Sequence, residues 1–438
     1  MSTADTALRY QGGFGNEFET ESLPGALPVG RNSPQQTPYG LYVEQLSGSP
    51  FVGPRASIRR SWLYKRLPTA GHGTFEPVGM PTFVSEVQGR APGNRVRLGR
   101  QPDELKPAAF PFGVATLLVT GSCAGRSGGA VHSYAVSADA DAPVFSDADG
   151  ELLWMPTEGT LLFCTEFGRI EAAVGEIVLV PRGVKFTVQP VARKTVARGY
   201  LVENYGMPFQ LPDLGPIGAN GLAAARDFLY PVAHAEPAGG PVQWINKFDG
   251  GFWQTTLAQT PLDVVAWRGN HAPCKYDLSR FMVINTVSFD HADPSIFTVL
   301  TSPGGAQGAP NLELAIFPPR WQVADDTFRP PWFHRNMMSE AMGLLRGRYE
   351  VRAEGLVAGG LAVHNCMLGH GPDAASWKAA SERELKPEYL DGTIGFVLES
   401  PQLFVPTPLA LASAACERNY DVVWAGFSPA SLGKGATT

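Results

Sequence analysis

The stretch GEIVLVPRGVKF, residues 175–186, has the pattern of a short buried strand that ends in a tight turn. A glycine is followed by five residues, a Pro-x-Gly turn, two further residues and Phe186. Similar short apolar runs alternate with turn residues along the chain, which contains 49 glycines and 38 prolines. Frequent turns between short apolar strands are typical of mostly-β sandwiches and barrels.

Two stretches in the C-terminal half have regular spacings, and the second repeats the spacing of residues 175–186. HRNMMSE, residues 334–340, is followed after six further residues by Gly347, and Gly359 precedes His370 by the same eleven positions that separate Gly175 from Phe186. These spacings resemble the two sequence motifs of cupins. The match is loose in places, since Asn336 replaces the second histidine of the first motif, and Asn365 and Met367 replace a proline and a glycine of the second.

The resemblance predicts a mostly-β fold of two cupin-like β-sandwich (jelly-roll) halves with a few short helices. The N-terminal half, residues 1–240, would be metal-free, with Leu161 and Phe186 at the ligand positions and Gly168 parallel to Gly347. The C-terminal half, residues 241–438, would carry the metal, and the proline- and glycine-rich segment 231–242 would connect the two. Helices are predicted for residues 221–230, 374–386 and 408–418.

Composition and charge limit the classes of partner and the compartment expected for this protein. The formal net charge of −6 and the lack of a Lys/Arg run argue against nucleic acid as a partner. Five scattered cysteines, none in a C-x-x-C pair, favour a reducing compartment. The N-terminus has no apolar region typical of a signal peptide, and no apolar stretch is long enough to span a bilayer. We therefore expect a cytoplasmic enzyme without a membrane partner.

The histidine and carboxylate of the two C-terminal motifs form a candidate metal site. Two histidines and one carboxylate hold Fe(II) on one face and leave the other face open for substrate and O₂. His334, Glu340 and His370 would be these ligands, although zinc or manganese would suit the same residue types. His364 and Asn336 are candidates to contact the ligands, and an ordinary buried histidine is an equal interpretation of His364.

Several longer strings resemble the homogentisate 1,2-dioxygenase family over nearly the full chain. They are YQGGFGNEF at 10–18, PYGLY at 38–42, SWLY at 61–64, SFDHADPS at 288–295, PWFHRN at 331–336 and GHGPD at 369–373. The resemblance implies conversion of homogentisate and O₂ to maleylacetoacetate in phenylalanine and tyrosine catabolism, and assembly as a homohexamer.

The same resemblance implies roles for individual residues. One Fe(II) would be bound by His334, Glu340 and His370, and His291 would act in acid–base steps. Tyr349 and His370 would contact the substrate. Two alternatives remain open: another cupin dioxygenase acting on gentisate or a related hydroxylated aromatic acid, and a two-cupin binding or storage protein.

Overall fold

The computed structural model describes residues 7–100, 105–139, 142–215, 221–304, 308–348 and 356–431. Within these ranges the chain is built from 28 strands and two short α-helices. The mostly-β fold class predicted from the sequence is confirmed. No helix in the described ranges is long and apolar enough to cross a membrane.

Twenty strands precede residue 278. They are β1 Tyr10–Gly12, β2 Phe18–Glu21, β3 Tyr42–Ser47, β4 Arg60–Lys65, β5 Glu76–Pro77, β6 Val96–Leu98, β7 Val114–Ser122, β8 Ser127–Ser137, β9 Val144–Asp147, β10 Glu151–Glu158, β11 Leu161–Thr165, β12 Gly168–Ala172, β13 Glu176–Val180, β14 Phe186–Pro190, β15 Val196–Asn204, β16 Phe228–Pro231, β17 Val242–Phe248, β18 Gly251–Leu257, β19 Val264–Gly269 and β20 Cys274–Asp277.

Eight strands and both α-helices follow. They are β21 Thr298–Ser302, β22 Leu312–Phe317, β23 Arg320–Gln322, β24 Ser339–Arg346, β25 Leu361–His364, α1 Ala374–Glu382, β26 Glu388–Leu390, β27 Ile394–Ser400, β28 Val405–Pro406 and α2 Pro408–Ala412. Short 3-10 helices lie between strands at Pro38–Gly40, Arg55–Ser57, Ala225–Asp227, Leu278–Arg280 and Pro294–Phe297, and another, Tyr420–Trp424, follows α2.

The strands form two large sheets, in the orders β1-β16-β20-β13-β10-β15-β8-β7-β28 and β12-β11-β14-β9-β17-β18-β5, and a four-stranded sheet, β2-β19-β4-β3. A six-stranded sheet, β21-β22-β27-β24-β25-β6, carries the C-terminal motifs, and β23 pairs with β26. Strand β17 pairs with β9, β18 with β5, β19 with both β2 and β4, and β20 with β13. Hydrogen bonding therefore continues across residue 240, where the boundary between the halves is predicted, and the strands up to residue 277 share sheets with earlier ones.

The two halves repeat one arrangement of strands, but not with the alignment predicted from the sequence. Glu340 of β24 lies opposite His364 of β25, and Leu152 of β10 lies opposite Val180 of β13. His370 follows His364 by six residues, as Phe186 follows Val180. The N-terminal counterpart of Glu340 is therefore Leu152, and the assignment of Leu161 to this position is wrong.

Other pairs agree with this alignment. Phe186 pairs with Phe145 across antiparallel strands, as His370 pairs with His334. The counterpart of Gly347 is Gly159 instead of Gly168. Gly347 and Gly159 each follow their aligned position by seven residues and have φ values of 83° and 76°. A left-handed backbone of this kind is accessible to glycine at little cost.

Aromatic side chains fill the N-terminal half where the C-terminal half has its candidate ligands. Phe186 packs against Phe145, Phe110 and Trp154, with ring centroids 5.9, 5.6 and 6.2 Å away. All four side chains are fully buried or nearly so. The side chains at these positions thus supply packing and no metal ligand.

Local predictions for the connecting segments had mixed outcomes. Helix α1 begins after Asp373, whose carboxylate caps the Ser376 N–H, and ends at Glu382, four residues before the predicted end. Helix α2 is confirmed only over Pro408–Ala412. The helix predicted at 221–230 is wrong, because this segment forms a 3-10 turn and then enters strand β16, which pairs with β1 and β20. Residues 282–289 form a loop.

We predict that Phe186→Ala lowers the free energy of unfolding by about 3–5 kcal/mol, because it opens a cavity in a packed aromatic core. Denaturant unfolding measures this change. The matched control is Phe248→Ala, at a ring that is 57% exposed. The metal content of the loaded protein should stay at one equivalent, and a fall in metal content with no change in stability would contradict the structural role of Phe186.

Candidate metal centre

The two candidate histidines face each other across a backbone pair. The His334 N–H donates to the His370 carbonyl, and the His370 N–H donates to the His334 carbonyl, each at 3.1 Å. Strand β24 begins five residues after His334, and its second residue, Glu340, projects toward both rings. The structure thus brings together the three residues that the motif spacing singled out.

The geometry of these side chains fits a divalent cation. His370 Nε2 lies 3.1 Å from Glu340 Oε2, and His334 Nε2 lies 3.7 Å from Glu340 Oε1. One ligand atom from each residue falls within 4.8 Å of the other two. This is a compact set of two imidazoles and one carboxylate, the combination suited to Fe(II) in oxygenases.

The hydrogen bonds of the other ring nitrogens support the fit. His334 Nδ1 lies 2.8 Å from the Trp332 carbonyl, and His370 Nδ1 lies 2.9 Å from the Leu368 carbonyl. A carbonyl only accepts, so each Nδ1 must carry a proton, and neutral rings then have lone pairs on Nε2. Two lone pairs and a carboxylate facing one another require a positive charge between them, either protons or a metal ion.

Electrostatics around Glu340 point the same way. Burial raises the pKa of Glu340, but hydrogen bonds from His334 and His370 outweigh burial and hold this pKa well below its usual range. The bond to Glu340 in turn raises the pKa of His334. Glu340 is therefore ionised at neutral pH and available as an anionic ligand.

A row of polar side chains crosses the six-stranded sheet at this level. Glu313, Glu399, Glu340 and His364 occupy opposite positions on β22, β27, β24 and β25. Burial, with added repulsion from Glu340 and Glu313, raises the pKa of Glu399 to about 7. The sequence analysis missed Glu399. Its position directly after the apolar run 394–398 and before Ser400 was a usable signal, because a carboxylate is unusual in such a strand.

His364 and Asn336, predicted to contact the ligands, both lie beside them. The His364 ring stacks on His370 with centroids 4.1 Å apart and an interplanar angle of 19°. Asn336 Nδ2 lies 3.5 Å from Glu340 Oε1. The peptide N–H of Met338 donates to Asn336 Oδ1, which orients the amide group toward the carboxylate.

An open cleft of about 470 Å³ reaches the two histidines. Aromatic and cationic side chains line it together with the ligands: Arg95, Phe333, His334, Arg335, Gly369, His370, Trp424 and Phe427. Such a lining suits a small aromatic anion, because rings can stack on the apolar side chains while guanidinium groups attract a carboxylate.

A second acidic cluster lies inside the N-terminal half. Asp147, Asp149 and Glu203 offer oxygen atoms within 4.8 Å of one another. The Lys247 ammonium lies 2.9 Å from Asp149 Oδ2 and 2.5 Å from Glu203 Oε1. The buried lysine pairs with two of the three carboxylates, and burial with repulsion from Glu203 raises the pKa of Asp147, so this cluster is an ion-pair network.

Comparison with known proteins identifies the family. Models described as "Homogentisate 1,2-dioxygenase N-terminal" and "Homogentisate 1,2-dioxygenase C-terminal" match residues 9–278 and 279–431. The chain belongs to the homogentisate 1,2-dioxygenase family. It is 48% identical to a homogentisate 1,2-dioxygenase of Pseudomonas entomophila, over 97% of both chains. It is 49% identical to one of Pseudomonas putida, over 95% of this chain and 96% of that one.

Similarity to solved structures is weaker. A cupin 2 conserved barrel domain protein from Leptotrichia buccalis is 9% identical, with a TM-score of 0.29 over 66% of this chain and 88% of that chain. An oxalate decarboxylase mutant from Bacillus subtilis is 12% identical, with a TM-score of 0.30 over 76% of this chain and 78% of that chain. Scores this low add nothing to the family assignment.

His291, which the family resemblance assigns to acid–base steps, does not line the cleft of the three candidate ligands. His291 lines a separate small cavity, with Nδ1 3.0 Å from the Ala292 carbonyl and Nε2 3.1 Å from the Arg329 carbonyl. Its ring contacts Trp332 edge-on at 5.0 Å. It follows the loop formed by residues 282–289. Tyr349 lies outside the described residues.

We predict that Glu340→Gln weakens metal binding by at least about ten- to a hundredfold. Loss of a residue that only hydrogen-bonds to a ligand lowers metal affinity by about that factor, and loss of the charge of a ligand itself should lower it at least as much. Titration of the metal-free protein with Fe(II) measures the affinity. Glu158→Gln, at a 51% exposed side chain in a surface ion pair, is the matched control. An affinity equal to that of the unaltered chain would exclude Glu340 as a ligand.

Proposed function

We propose that this chain opens the aromatic ring of homogentisate with O₂ to form maleylacetoacetate, in the catabolism of phenylalanine and tyrosine. The observation that carries the proposal is the convergence of His334, Glu340 and His370 on one open cleft. Family membership over residues 9–431 supports the aromatic substrate and O₂ as reactants. It also favours the enzyme over a two-cupin binding or storage protein.

We further propose that the metal is Fe(II), bound by His334, Glu340 and His370. Bound Fe(II) would hold the substrate and O₂ side by side and pass electron density from one to the other. A single carboxylate leaves such a centre with one net positive charge, which favours binding of a deprotonated phenol. The cleft lies on the side of the histidines where substrate must approach.

The cleft residues suggest how the substrate is oriented. Arg335 is exposed at the cleft and follows the ligand His334 directly. We propose that its guanidinium attracts the acetate arm while Phe333 and Phe427, whose rings lie 5.4 Å apart, border the aromatic ring. The contact of Tyr349 with the substrate, and that of the substrate with His370, remain proposals from the family resemblance.

His291 is proposed as the group that exchanges a proton with the substrate. It is linked to the centre through Trp332, whose ring contacts His291 and whose carbonyl accepts from His334 Nδ1. Both ring nitrogens lie near backbone carbonyls. Proton transfer therefore requires the ring to turn from one of these carbonyls toward the cleft.

The oligomeric state and the cellular location remain predictions. A homohexamer is expected from the family resemblance, and a cytoplasmic location is expected from the pattern of five cysteines, all of them free. The proposed reaction depends on neither.

The decisive experiment is O₂ uptake by Fe(II)-loaded protein supplied with homogentisate or gentisate. We expect one O₂ consumed per homogentisate and a ring-opened product absorbing in the near ultraviolet. Chelation should abolish uptake and Fe(II) should restore it, whereas zinc should not. Faster turnover of gentisate would replace the proposed substrate, and uptake by zinc-loaded protein would refute the iron centre.

We predict that His291→Ala keeps its Fe(II) and still binds homogentisate but turns over about 10²–10⁴-fold more slowly, the usual contribution of a general acid or base. Steady-state kinetics and metal analysis on the same sample measure both properties. His234→Ala, at a 46% exposed side chain distant in sequence from the motifs, is the matched control. Unchanged turnover would remove His291 from the mechanism, and loss of iron would make it a ligand.

A further inference from the structure

We propose that Arg95, Tyr420 and Trp424, here called the clamp, are positioning residues that fix the orientation of the ligand His370. The inference rests on the proposed metal centre at His334, Glu340 and His370. It adds residues from two distant parts of the chain that neither the motif spacing nor the family resemblance singled out.

The backbone around His370 needs external support. His370 lies between Gly369 and Gly371, and glycine restricts the backbone less than any other residue. Gly371 has a φ of 152°, and a Cβ there would lie 2.6 Å from a ring carbon of Phe333. The sequence Gly-His-Gly therefore allows the ligand to approach Phe333 closely but does little by itself to hold it in place.

Two clamp residues hold the carbonyls on either side of the ligand. Arg95 Nη1 donates to the Gly369 carbonyl at 2.8 Å, and Trp424 Nε1 donates to the Gly371 carbonyl at 3.2 Å. Together with the backbone pair to His334, these bonds constrain the peptide units on both sides of His370.

The third clamp residue acts on the imidazole ring. Tyr420 Oη lies 3.2 Å from His364 Nε2, and the two rings are stacked with centroids 6.2 Å apart. His364 also stacks on His370, with ring centroids 4.1 Å apart. Tyr420 thus sets the plane of His364, and that plane limits rotation of the His370 ring.

The clamp residues also contact one another. The Arg95 guanidinium lies 3.9 Å from the Trp424 ring centroid, and its Nε is 2.5 Å from Asp421 Oδ1 across 326 positions of sequence. Tyr420 and Trp424 contact edge-to-face at 5.2 Å. Cation–π and ion-pair contacts of this kind make Arg95 and the 3-10 helix Tyr420–Trp424 one unit.

A second arginine anchors this unit to the sheet that carries Glu340 and His364. Arg97 of β6 lies 4.7 Å from the Tyr420 ring centroid and pairs with Glu417 at 2.6 Å. Strand β6 is hydrogen-bonded to β25, which ends at His364. The C-terminal segment that contacts His370 and His364 is therefore attached to the same sheet through Arg97.

The test uses conservative variants of the full chain. Trp424→Phe and Tyr420→Phe each remove one hydrogen-bond donor and keep a ring in place. Arg95→Lys keeps the charge beside Asp421 but loses the forked donor that serves Asp421 and Gly369 together. Matched controls are Trp377→Phe, Tyr389→Phe and Arg100→Lys, at side chains that are 44%, 49% and 68% exposed.

Three readouts separate positioning from general stability. They are the affinity for Co(II) and Fe(II), the ligand-field absorption of the Co(II) protein, and the melting temperature of the metal-free protein. We expect each clamp variant to bind metal about tenfold more weakly, with an altered Co(II) spectrum, in line with outer partners of other metal ligands. The controls should match the unaltered chain in all three, and the melting temperature of the clamp variants should stay close to theirs.

Unchanged metal affinity and spectrum in the clamp variants would overturn the proposal. Weaker affinity that follows a falling melting temperature, with the Co(II) spectrum intact, would also overturn it by showing a role in folding alone. These readouts need no homogentisate. If the clamp variants show altered metal affinity and an altered Co(II) spectrum while the unaltered chain does not turn over homogentisate, only the proposed substrate is refuted. Failure of the unaltered chain to bind either metal would refute both the centre and the clamp.

Discussion

The pairing of β24 between β25 and β27 is the constraint on which the candidate metal centre depends. It sets Glu340 opposite His364 on one side and Glu399 on the other. Side chains alternate between the faces of a strand, so a slip of one residue would turn Glu340 away from both histidines. The reciprocal backbone bonds of His334 and His370 then place the other two ligands above the same point. Register in the sheet is thus the origin of the three-residue geometry.

The two halves show how one strand arrangement supports different interiors. In the N-terminal half, Phe145, Leu152 and Phe186 stand where the C-terminal half has its ligands, and aromatic packing stabilises that interior. A carboxylate persists at the aligned position on the neighbouring strand, because Glu203 lies opposite Leu152 as Glu399 lies opposite Glu340. Lys247 balances Glu203. The buried charges near Glu399 instead face the histidines, where a divalent cation would balance them.

The motif spacing was enough to single out His334, Glu340 and His370 as candidate ligands. A histidine and a glutamate in one short segment are a local property of the sequence, and so is a glycine-to-histidine distance. It failed for Leu161, because the true alignment depends on which strands pair, and Leu152 precedes the predicted position by nine residues. The helix predicted at 221–230 failed for a related reason. Strand pairing with β1 and β20 outweighed a moderate helical preference in that segment.

By itself, the sequence determined the mostly-β class, the family and the three candidate ligands, since strand periodicity, turn residues and motif strings are all written along the chain. Only the tertiary structure decided which groups surround those ligands. Glu399, Arg95, Tyr420 and Trp424 come from segments far from one another and from His334 in sequence, and no local pattern links them. They meet because sheet register and chain crossing bring distant segments together, and contacts of that kind leave little trace in a single sequence.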